Sequence, residues 1–430
     1  MQVWRLVGCM ALTGVACFES PCEAPGQPGV IVACQPDDAG LVVGLDAGAR
    51  DAGSGDAGRA DAGRRDAGRP DGGPHDAGRV VGDGGLRVVD LGTRSVAMDA
   101  STGPLTFEVV PGDESFQIEV QTDDRRSILH IAPVANPLGT VMSTVGFESL
   151  SSHLSRSLPS QGNAAALVLE SDDAARHWVP GRWSFSVANL VSQSPLRVSA
   201  RVIIKEAPPA TPARTLRANF CFTGSAGLTA AVARTDARLA NAFNFSAGLF
   251  ANAGVALTRG EFLDLPAGLS AVSLDADAGM LATMADVLAA CRPRSEGVNI
   301  VWVESIGSLL GPVSGVSSGL PGLTMATGEG QAGVLVAYDS RVFTPTVDTP
   351  EDDLGVVLSH ELGHQLGLSH VLEFLLRVED NLSDTPGRDN DSAARGNLMY
   401  PSLTSGVSNA QVYVTPMQYA TMRRNPVVRP

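Results

Sequence analysis

The segment from His360 to His370 constrains the fold of this 430-residue chain most strongly, because three of its seven histidines lie within eleven residues. Apolar residues upstream recur at spacings of three and four, and they predict a helix from about 350 to 366 with one buried stripe. On this helix His360 and His364 lie one turn apart and project from the same face. Gly367 can adopt the left-handed conformation that ends a helix, so the chain can turn and return His370 to the same point.

The chemistry of these side chains indicates a metal site. Three neutral imidazoles leave the fourth position of a zinc ion open for water, as a catalytic zinc site requires. Glu361 follows the first histidine and can reach that water without being a ligand, so it can accept a proton and deliver it to a leaving amine. We therefore predict a zinc-dependent endopeptidase that hydrolyses protein or peptide substrates, with Glu361 as general base and acid.

The same residues carry a family resemblance. The pattern His360-Glu361-x-x-His364-x-x-Gly367-x-x-His370 resembles the zinc-binding motif of metzincin metalloproteases, and Gly396-Asn397-Leu398-Met399-Tyr400-Pro401 looks like their Met-turn. The segment 380–386 is similar to its counterpart in pappalysin-like members. The resemblance implies that Met399 lies beneath the zinc. It also implies an α+β catalytic domain over 214–430, with a mixed sheet, helices and a C-terminal helix at 416–424.

Two residues depart from related subfamilies. Tyr400 directly follows Met399, whereas astacin-like and serralysin-like members place a ligating tyrosine two positions after the methionine, and Val371 stands where adamalysin-like members have aspartate. Two alternatives stay open, one to the enzymatic function and one to the set of metal ligands. One is a surface binding or adhesion lipoprotein whose zinc-bearing scaffold is catalytically inactive, and the other is a two-histidine site completed by Glu373.

The N-terminal residues predict export. Residues 1–16 combine Arg5 with an apolar stretch too short to span a bilayer, which is the layout of a signal peptide. Gly14-Val15-Ala16-Cys17 resembles a bacterial lipoprotein signal, which implies lipid modification of Cys17 and membrane attachment through that lipid alone. Cleavage after Ala16 without lipidation would instead give a secreted protein. We therefore expect the protein at the bacterial cell envelope or outside the cell.

The other cysteines suit an oxidising compartment. With the signal cysteine discarded and Cys17 modified, four remain, and the disulfide pairings that respect the predicted domain boundaries are Cys22–Cys34 and Cys221–Cys291. Free thiols are the alternative.

Residues 17–85 are dominated by a repeat, since Asp-Ala-Gly recurs in a five-residue register between Asp46 and Asp76. So few large apolar groups cannot offset the entropy of ordering the backbone, and we predict a disordered tether. A calcium-binding repeat is the alternative, but the large apolar residues of such repeats are missing.

Residues 86–206 alternate apolar and polar side chains in short segments such as Phe116-Gln117-Ile118-Glu119-Val120, which predicts half-buried antiparallel strands and a β-sandwich accessory domain. A Pro-rich linker at 207–213 separates it from the catalytic domain, so the predicted fold is multidomain. The formal charge is −15 and Lys205 is the one lysine, so no basic face is available to bind nucleic acid.

Two further sites are predicted downstream. Asp380, Asp384, Asp389 and Asp391 lie within twelve residues and form either a calcium site or a solvated acidic loop. Gly333–Tyr338 is predicted to be an edge strand, either a plain sheet edge or one to which an extended peptide adds by backbone pairing.

Overall fold

In the computed structural model, all the described residues belong to one compact unit. Within the part of the chain that the structure describes, no helix combines the length and apolar character that a membrane crossing requires. The described residues are 16–18, 80–83, 85–97, 100–124, 127–139, 141–143, 155–156, 160–169, 178–189, 195–207, 213–266, 268–274, 282–308, 311–324, 332–338, 350–373, 378–380, 382–386, 391–401 and 411–429.

The region before residue 207 is built from antiparallel strands. They form a six-stranded sheet in the order β2-β3-β12-β5-β10-β8 and a five-stranded sheet in the order β4-β11-β6-β7, in which β9 also pairs with β6. The strands are β2 (Val80–Asp83), β3 (Leu86–Val96), β4 (Leu105–Val109), β5 (Asp113–Thr122), β6 (Ile128–Ala135), β7 (Val141–Ser143), β8 (Ser155–Arg156), β9 (Ser160–Gln161), β10 (Asn163–Leu169), β11 (Gly181–Asn189) and β12 (Leu196–Glu206).

One hydrophobic core joins these two sheets. Phe116 of β5 packs edge-on against Phe107 of β4 and Trp183 of β11, with ring centroids 4.8 and 5.0 Å apart. The inward residues of both sheets belong to one buried cluster, so the sheets face each other across it. Each large side chain buried there contributes about 1.5–3 kcal/mol to folding.

The remaining elements form a mixed sheet with helices. The strands are β1 (Ala16–Phe18), β13 (Arg214–Phe222), β14 (Val255–Asp264), β15 (Ala271–Ser273), β16 (Ala282–Thr283), β17 (Val298–Val303), β18 (Ser305–Ser308), β19 (Gly311–Ser317), β20 (Gly333–Ala337), β21 (Leu372–Glu373) and β22 (Val378–Glu379). The helices are α1 (Ala230–Ala233), α2 (Ala237–Asn252), α3 (Met284–Ala290), α4 (Pro350–Gln365), α5 (Asp391–Arg395) and α6 (Pro416–Arg424), with a 3₁₀ turn at Ser225–Gly227.

Four neighbouring strands of this sheet, β14, β13, β17 and β20, are parallel. Strand β17 reads Val-Asn-Ile-Val-Trp-Val and is buried throughout, as expected for a parallel strand covered on both faces. Helix α2 covers one face and packs on α4, where Ser359 donates to Ser246 at 2.9 Å. The ring of Phe245 fills the space beside Gly355 of α4, where a Cβ would lie 2.8 Å from the ring. A residue without a side chain is therefore needed at this position.

The prediction of an edge strand at Gly333–Tyr338 is wrong. The strand with an outer edge beside α4 is β19. Strand β20 lies inside the sheet, parallel to β17 and antiparallel to β19. Val316 of β19 pairs with Leu335 of β20 on one side and with Ala16 on the other, and Val313 likewise pairs with β18 and with β1. The outer edge of β19 is therefore the one that takes the short strand β1.

Two predicted helices have different bounds in the structure. The apolar spacing of the sequence predicts one helix from Leu228 to Phe243 and another from 278 to 291. In the first region the chain instead forms α1, breaks, and begins α2 where Asp236 accepts a hydrogen bond from the Leu239 amide at 2.8 Å. Aspartate is among the preferred N-cap residues, so Asp236 favours a new helix start at this point. The predicted helix from 278 to 291 is observed as α3, and residues 278–281 lie outside the described residues.

Candidate metal centre

Helix α4 carries two of the three histidines and is buried on every face past its first turn. Leu354, Val357, Leu358 and Leu362 are at most 1% exposed, and they pack into the core that the mixed sheet shares with α2. This packing fixes α4 against the mixed sheet and α2. The side chains of His360 and His364 therefore point toward the C-terminal segment of the chain.

A glycine turn then returns the third histidine. Gly367 has φ +96°, its amide donates to the His364 carbonyl at 2.8 Å, and the Leu368 amide donates to the Gly363 carbonyl at 2.9 Å. This pair of bonds is the Schellman ending of a helix, which requires a left-handed residue that glycine adopts without cost from a Cβ. The chain reverses within three residues and places His370 opposite the other two.

The three imidazoles meet at their Nε2 atoms. The separations are 2.9 Å between His360 and His364, 3.1 Å between His360 and His370, and 3.0 Å between His364 and His370. The Nδ1 of His360 donates to the Leu398 carbonyl, and that of His364 donates to the Leu368 carbonyl, both at 2.6 Å. These bonds set the tautomer of both rings, so each Nε2 presents a lone pair to the centre.

Burial keeps the rings of His360 and His364 neutral. All three are at most 3% exposed. Desolvation, followed by the neighbouring His370, lowers the pKa of His360 to about 3, and desolvation lowers the pKa of His364 well below its usual value. Neutral imidazole is the form that ligates a metal, so the protonation state favours binding at neutral pH.

The residues fit a zinc ion. Lone pairs facing each other at about 3 Å repel unless a cation lies between them, and three nitrogens bound to zinc at about 2.0–2.1 Å would lie about 3.4 Å apart in tetrahedral geometry. The observed separations are a few tenths of an ångström smaller. Within the described residues, His360, His364 and His370 are the one group of three or more histidine, cysteine or acidic side chains close enough to share an ion.

Glu361 lies next to this cluster and is fully buried. Its side chain packs against Gly315 of β19, where a Cβ would lie 2.6 Å from the Glu361 Cγ and 2.8 Å from its Oε1. The absence of a side chain at Gly315 therefore makes room for the carboxylate. Nothing in the local sequence around Gly315 indicated this contact, because it depends on which strand lies beside α4.

Met399 packs against Gly363 of α4, the residue before His364. A Cβ on Gly363 would lie 2.7 Å from the Met399 sulfur. The Met399 amide donates to the side chain of Asn397 at 2.9 Å, and Asn397 exchanges two hydrogen bonds with Gln418 of α6. The turn that supplies the Leu398 carbonyl to His360 is thus tied to the C-terminal helix, a support that the motif alone did not reveal.

The acidic cluster is divided between structural roles and undescribed residues. Asp384 accepts hydrogen bonds from the Thr415 hydroxyl at 2.9 Å and the Met417 amide at 2.8 Å, so it stabilises the start of α6. Asp380 accepts from the Leu382 amide at 3.1 Å. Asp389 and the side chain of Asp391 lie outside the described residues. A calcium site here stays a prediction.

The predicted cysteine sites are likewise divided between described and undescribed residues. Cys221 at the end of β13 and Cys291 after α3 form a disulfide across 70 residues, within the core of the mixed sheet. Cys22, Cys34 and the side chain of Cys17 lie outside the described residues, so their pairing and lipidation stay predictions.

Comparisons with known proteins add little to this geometry. No family model and no curated protein matches the chain. Metalloproteinase-II from Bacteroides fragilis is similar at 14% identity and a TM-score of 0.30, over 51% of this chain and 61% of that one. A family two carbohydrate esterase from Cellvibrio japonicus is similar at 9% identity and 0.14, over 43% and 53% of the two chains.

An acetyl xylan esterase from Butyrivibrio proteoclasticus is similar at 10% identity and 0.15, over 51% and 64%. In each case the similarity spans less than two thirds of the other protein. TM-scores this low establish no common fold, so the assignment of function rests on the site itself.

Proposed function

We propose that this chain is a zinc-dependent endopeptidase of the metzincin type. The observation that carries the proposal is the meeting of three histidine Nε2 atoms within 3.1 Å of one another beside the buried Glu361 carboxylate. A structural zinc site is normally closed by a fourth protein ligand, and among the described residues no fourth histidine, cysteine or acidic side chain joins the group.

The chain's own residues account for the steps of amide hydrolysis. His360, His364 and His370 hold the metal, and the Leu398 and Leu368 carbonyls orient two of the rings. Zinc, when bound, polarises the scissile carbonyl and lowers the pKa of water toward about 7. A carboxylate oxygen of Glu361 accepts the proton of the attacking water and passes it to the leaving amide nitrogen.

The neighbouring strand supports a peptide substrate. The outer edge of β19 accepts an extended segment in antiparallel register, since Ala16 pairs with Val316. Gly315 on the same strand contacts Glu361, so a peptide added along this edge would pass beside the general base. Backbone pairing does not depend on side chains, so peptides of many different sequences could bind. Side-chain pockets would then decide which of these peptides are preferred.

The wider organisation is part of the same proposal. Residues 1–16 would direct export, Cys17 would carry a lipid, and 17–85 would tether the folded unit to the cell envelope. Residues 86–206 would then be a β-sandwich domain and 214–430 the catalytic domain. Its substrates would be extracellular proteins, because the tether holds the site outside the cell.

The decisive experiment compares cleavage of a broad peptide library by the purified full chain and by Glu361→Ala. We expect Glu361→Ala to retain zinc and to lose about 10²–10⁴-fold in kcat/KM. Glu296→Gln serves as the control and should keep full activity, because Glu296 is an exposed carboxylate distant in sequence from Glu361.

Equal, negligible cleavage by the wild type and Glu361→Ala would refute the enzyme and favour a surface binding lipoprotein. Zinc content separates the ligand sets, because we expect His370→Ala to lose zinc and Glu373→Ala to retain it. The reverse result would show a two-histidine site.

A further inference from the structure

One face of strand β5 is buried although its sequence is polar. Phe116, Ile118 and Val120 fill the core between the two sheets, whereas Gln117 and Glu119 point away from it and are still at most 1% exposed. An alternating strand of this kind was expected to leave its polar face in water. The face is instead covered by the catalytic part of the chain, and a buried charge there is retained only with partners.

Those partners are Arg201 of β12 and the loop Ser318–Thr324, which follows β19. Glu119 accepts a hydrogen bond from the Thr324 amide, and Gln117 donates to the Gly322 carbonyl at 2.9 Å. Arg201 of β12 donates to Glu119 at 2.8 Å and also reaches the Thr324 carbonyl at 3.5 Å. Glu119 is therefore paired with Arg201 inside the strand-rich region, and the hydrogen bond that its charged carboxylate accepts from Thr324 joins that region to the loop.

The same loop holds the last residue of the metal-binding helix. Gln365, which directly follows His364, donates to the Leu323 carbonyl at 2.8 Å and accepts from the Gly322 amide at 3.2 Å through its own carbonyl. Contact is so close at Gly322 that a Cβ there would lie 1.8 Å from the Gln365 side chain. Movement of the loop must therefore move Gln365 and the turn that follows it.

We propose that Glu119 is a positioning residue for the metal centre, acting from the strand-rich region through the loop Ser318–Thr324 and Gln365 on the end of α4. The strand-rich region is then part of the active enzyme and not a detachable module. This inference rests on the proposed function for its link to catalysis, but its effect on the metal ligands is measurable without a substrate.

The test compares Glu119→Gln with Glu114→Gln in the full chain. Glu114 is the matched control, because it is a buried carboxylate of the same strand, and its ion pairs are with Arg214 at 2.6 Å and Lys205 at 3.8 Å. Glu119→Gln leaves the half-buried Arg201 without its charge partner, and Glu114→Gln does the same to the buried Arg214 and Lys205, so both changes should lower the melting temperature. A role in folding alone predicts that the two variants behave alike in every other respect.

Three measurements distinguish positioning from folding. We expect Glu119→Gln to bind zinc about tenfold more weakly in competition with a chelator, as for changes to outer partners of metal ligands. The visible absorption of the Co²⁺-substituted protein should change, and kcat should fall with KM nearly unchanged. Glu114→Gln should match the wild type in all three.

Wild-type zinc affinity and Co²⁺ spectrum in Glu119→Gln would overturn the inference, and so would equal changes in both variants. A wild-type chain that binds no metal would instead overturn the proposed function. Should Glu119→Gln fail to fold, Gln117→Met removes the neighbouring contact with Gly322 at similar volume. It should weaken zinc binding severalfold, and an unchanged affinity would likewise overturn the inference.

Discussion

Replacing Gly315 with alanine tests how closely β19 positions Glu361, the proposed general base. The new Cβ would lie 2.6 Å from the Glu361 Cγ and 2.9 Å from the Val357 Cγ1, whereas carbon atoms in contact normally lie about 3.5–4.0 Å apart. Glu361 is fully buried, so its carboxylate must move by about 1 Å with little space to enter. A displacement of that size costs about 100-fold in rate, or about 2.7 kcal/mol in the activation barrier.

The assay separates this effect from loss of fold or metal. We expect Gly315→Ala to retain stoichiometric zinc, because neither histidine on α4 is touched, and to lose about 1–3 kcal/mol of stability from overpacking. Its kcat on a peptide substrate should fall about 100-fold. Gly307→Ala on the adjacent strand β18 is the control, since its Cβ would meet the Val272 carbonyl at an ordinary 3.8 Å.

Wild-type kcat in a zinc-loaded, folded Gly315→Ala protein would refute the reasoning. It would mean either that the carboxylate of Glu361 adjusts freely or that it does not serve as the base. A variant that loses zinc together with activity would also contradict it, because the contact would then support the ligands rather than Glu361.

Three further predictions concern stability. Gly363→Ala should lower the melting temperature, because the new Cβ would lie 2.7 Å from the Met399 sulfur. This clash should outweigh the roughly 1 kcal/mol by which helix propensity favours alanine over glycine. A raised melting temperature in calorimetry would show that the sulfur moves aside. Replacing both Cys221 and Cys291 with alanine should cost about 4 kcal/mol in urea unfolding, from the chain-entropy estimate for a 70-residue loop, and an unchanged midpoint would show that the bond is not formed. Lys205→Met should cost about 3 kcal/mol, because a fully buried ammonium that donates to the Arg423, Asn425 and Val428 carbonyls is lost; no change in the urea midpoint would contradict this accounting.

Local sequence was sufficient for the parts of the site that depend on near neighbours. The spacing of His360 and His364 needs only one helical turn, and the return of His370 needs only a glycine after that turn. The helix at 416–424 was likewise predictable, because Thr415 caps it and Pro416 suits its first position. These features follow from backbone geometry within about ten residues and required no knowledge of distant contacts.

Tertiary structure alone decided which groups surround that motif. The sequence predicted a sheet edge at Gly333–Tyr338, but that strand lies between β17 and β19. The prediction was wrong because hydrophobic strands of similar sequence can occupy either an edge or an interior position. The contact of Gly315 with Glu361 depends on the resulting strand order. The carbonyl of Leu398 could not be recognised as a partner of His360, since every residue has a carbonyl.

The same limit applies to the polar face of β5. Alternation of polar and apolar residues reports that one face differs from the other, and it does not report what covers the polar face. Glu119 meets Thr324 across 205 positions of sequence, so the pairing exists only after the strand-rich region has packed on the region of the mixed sheet. Short-range patterns therefore determined the three clustered histidines and the chemistry proposed for them, whereas the contacts that support these residues come from long-range packing that no local pattern encodes.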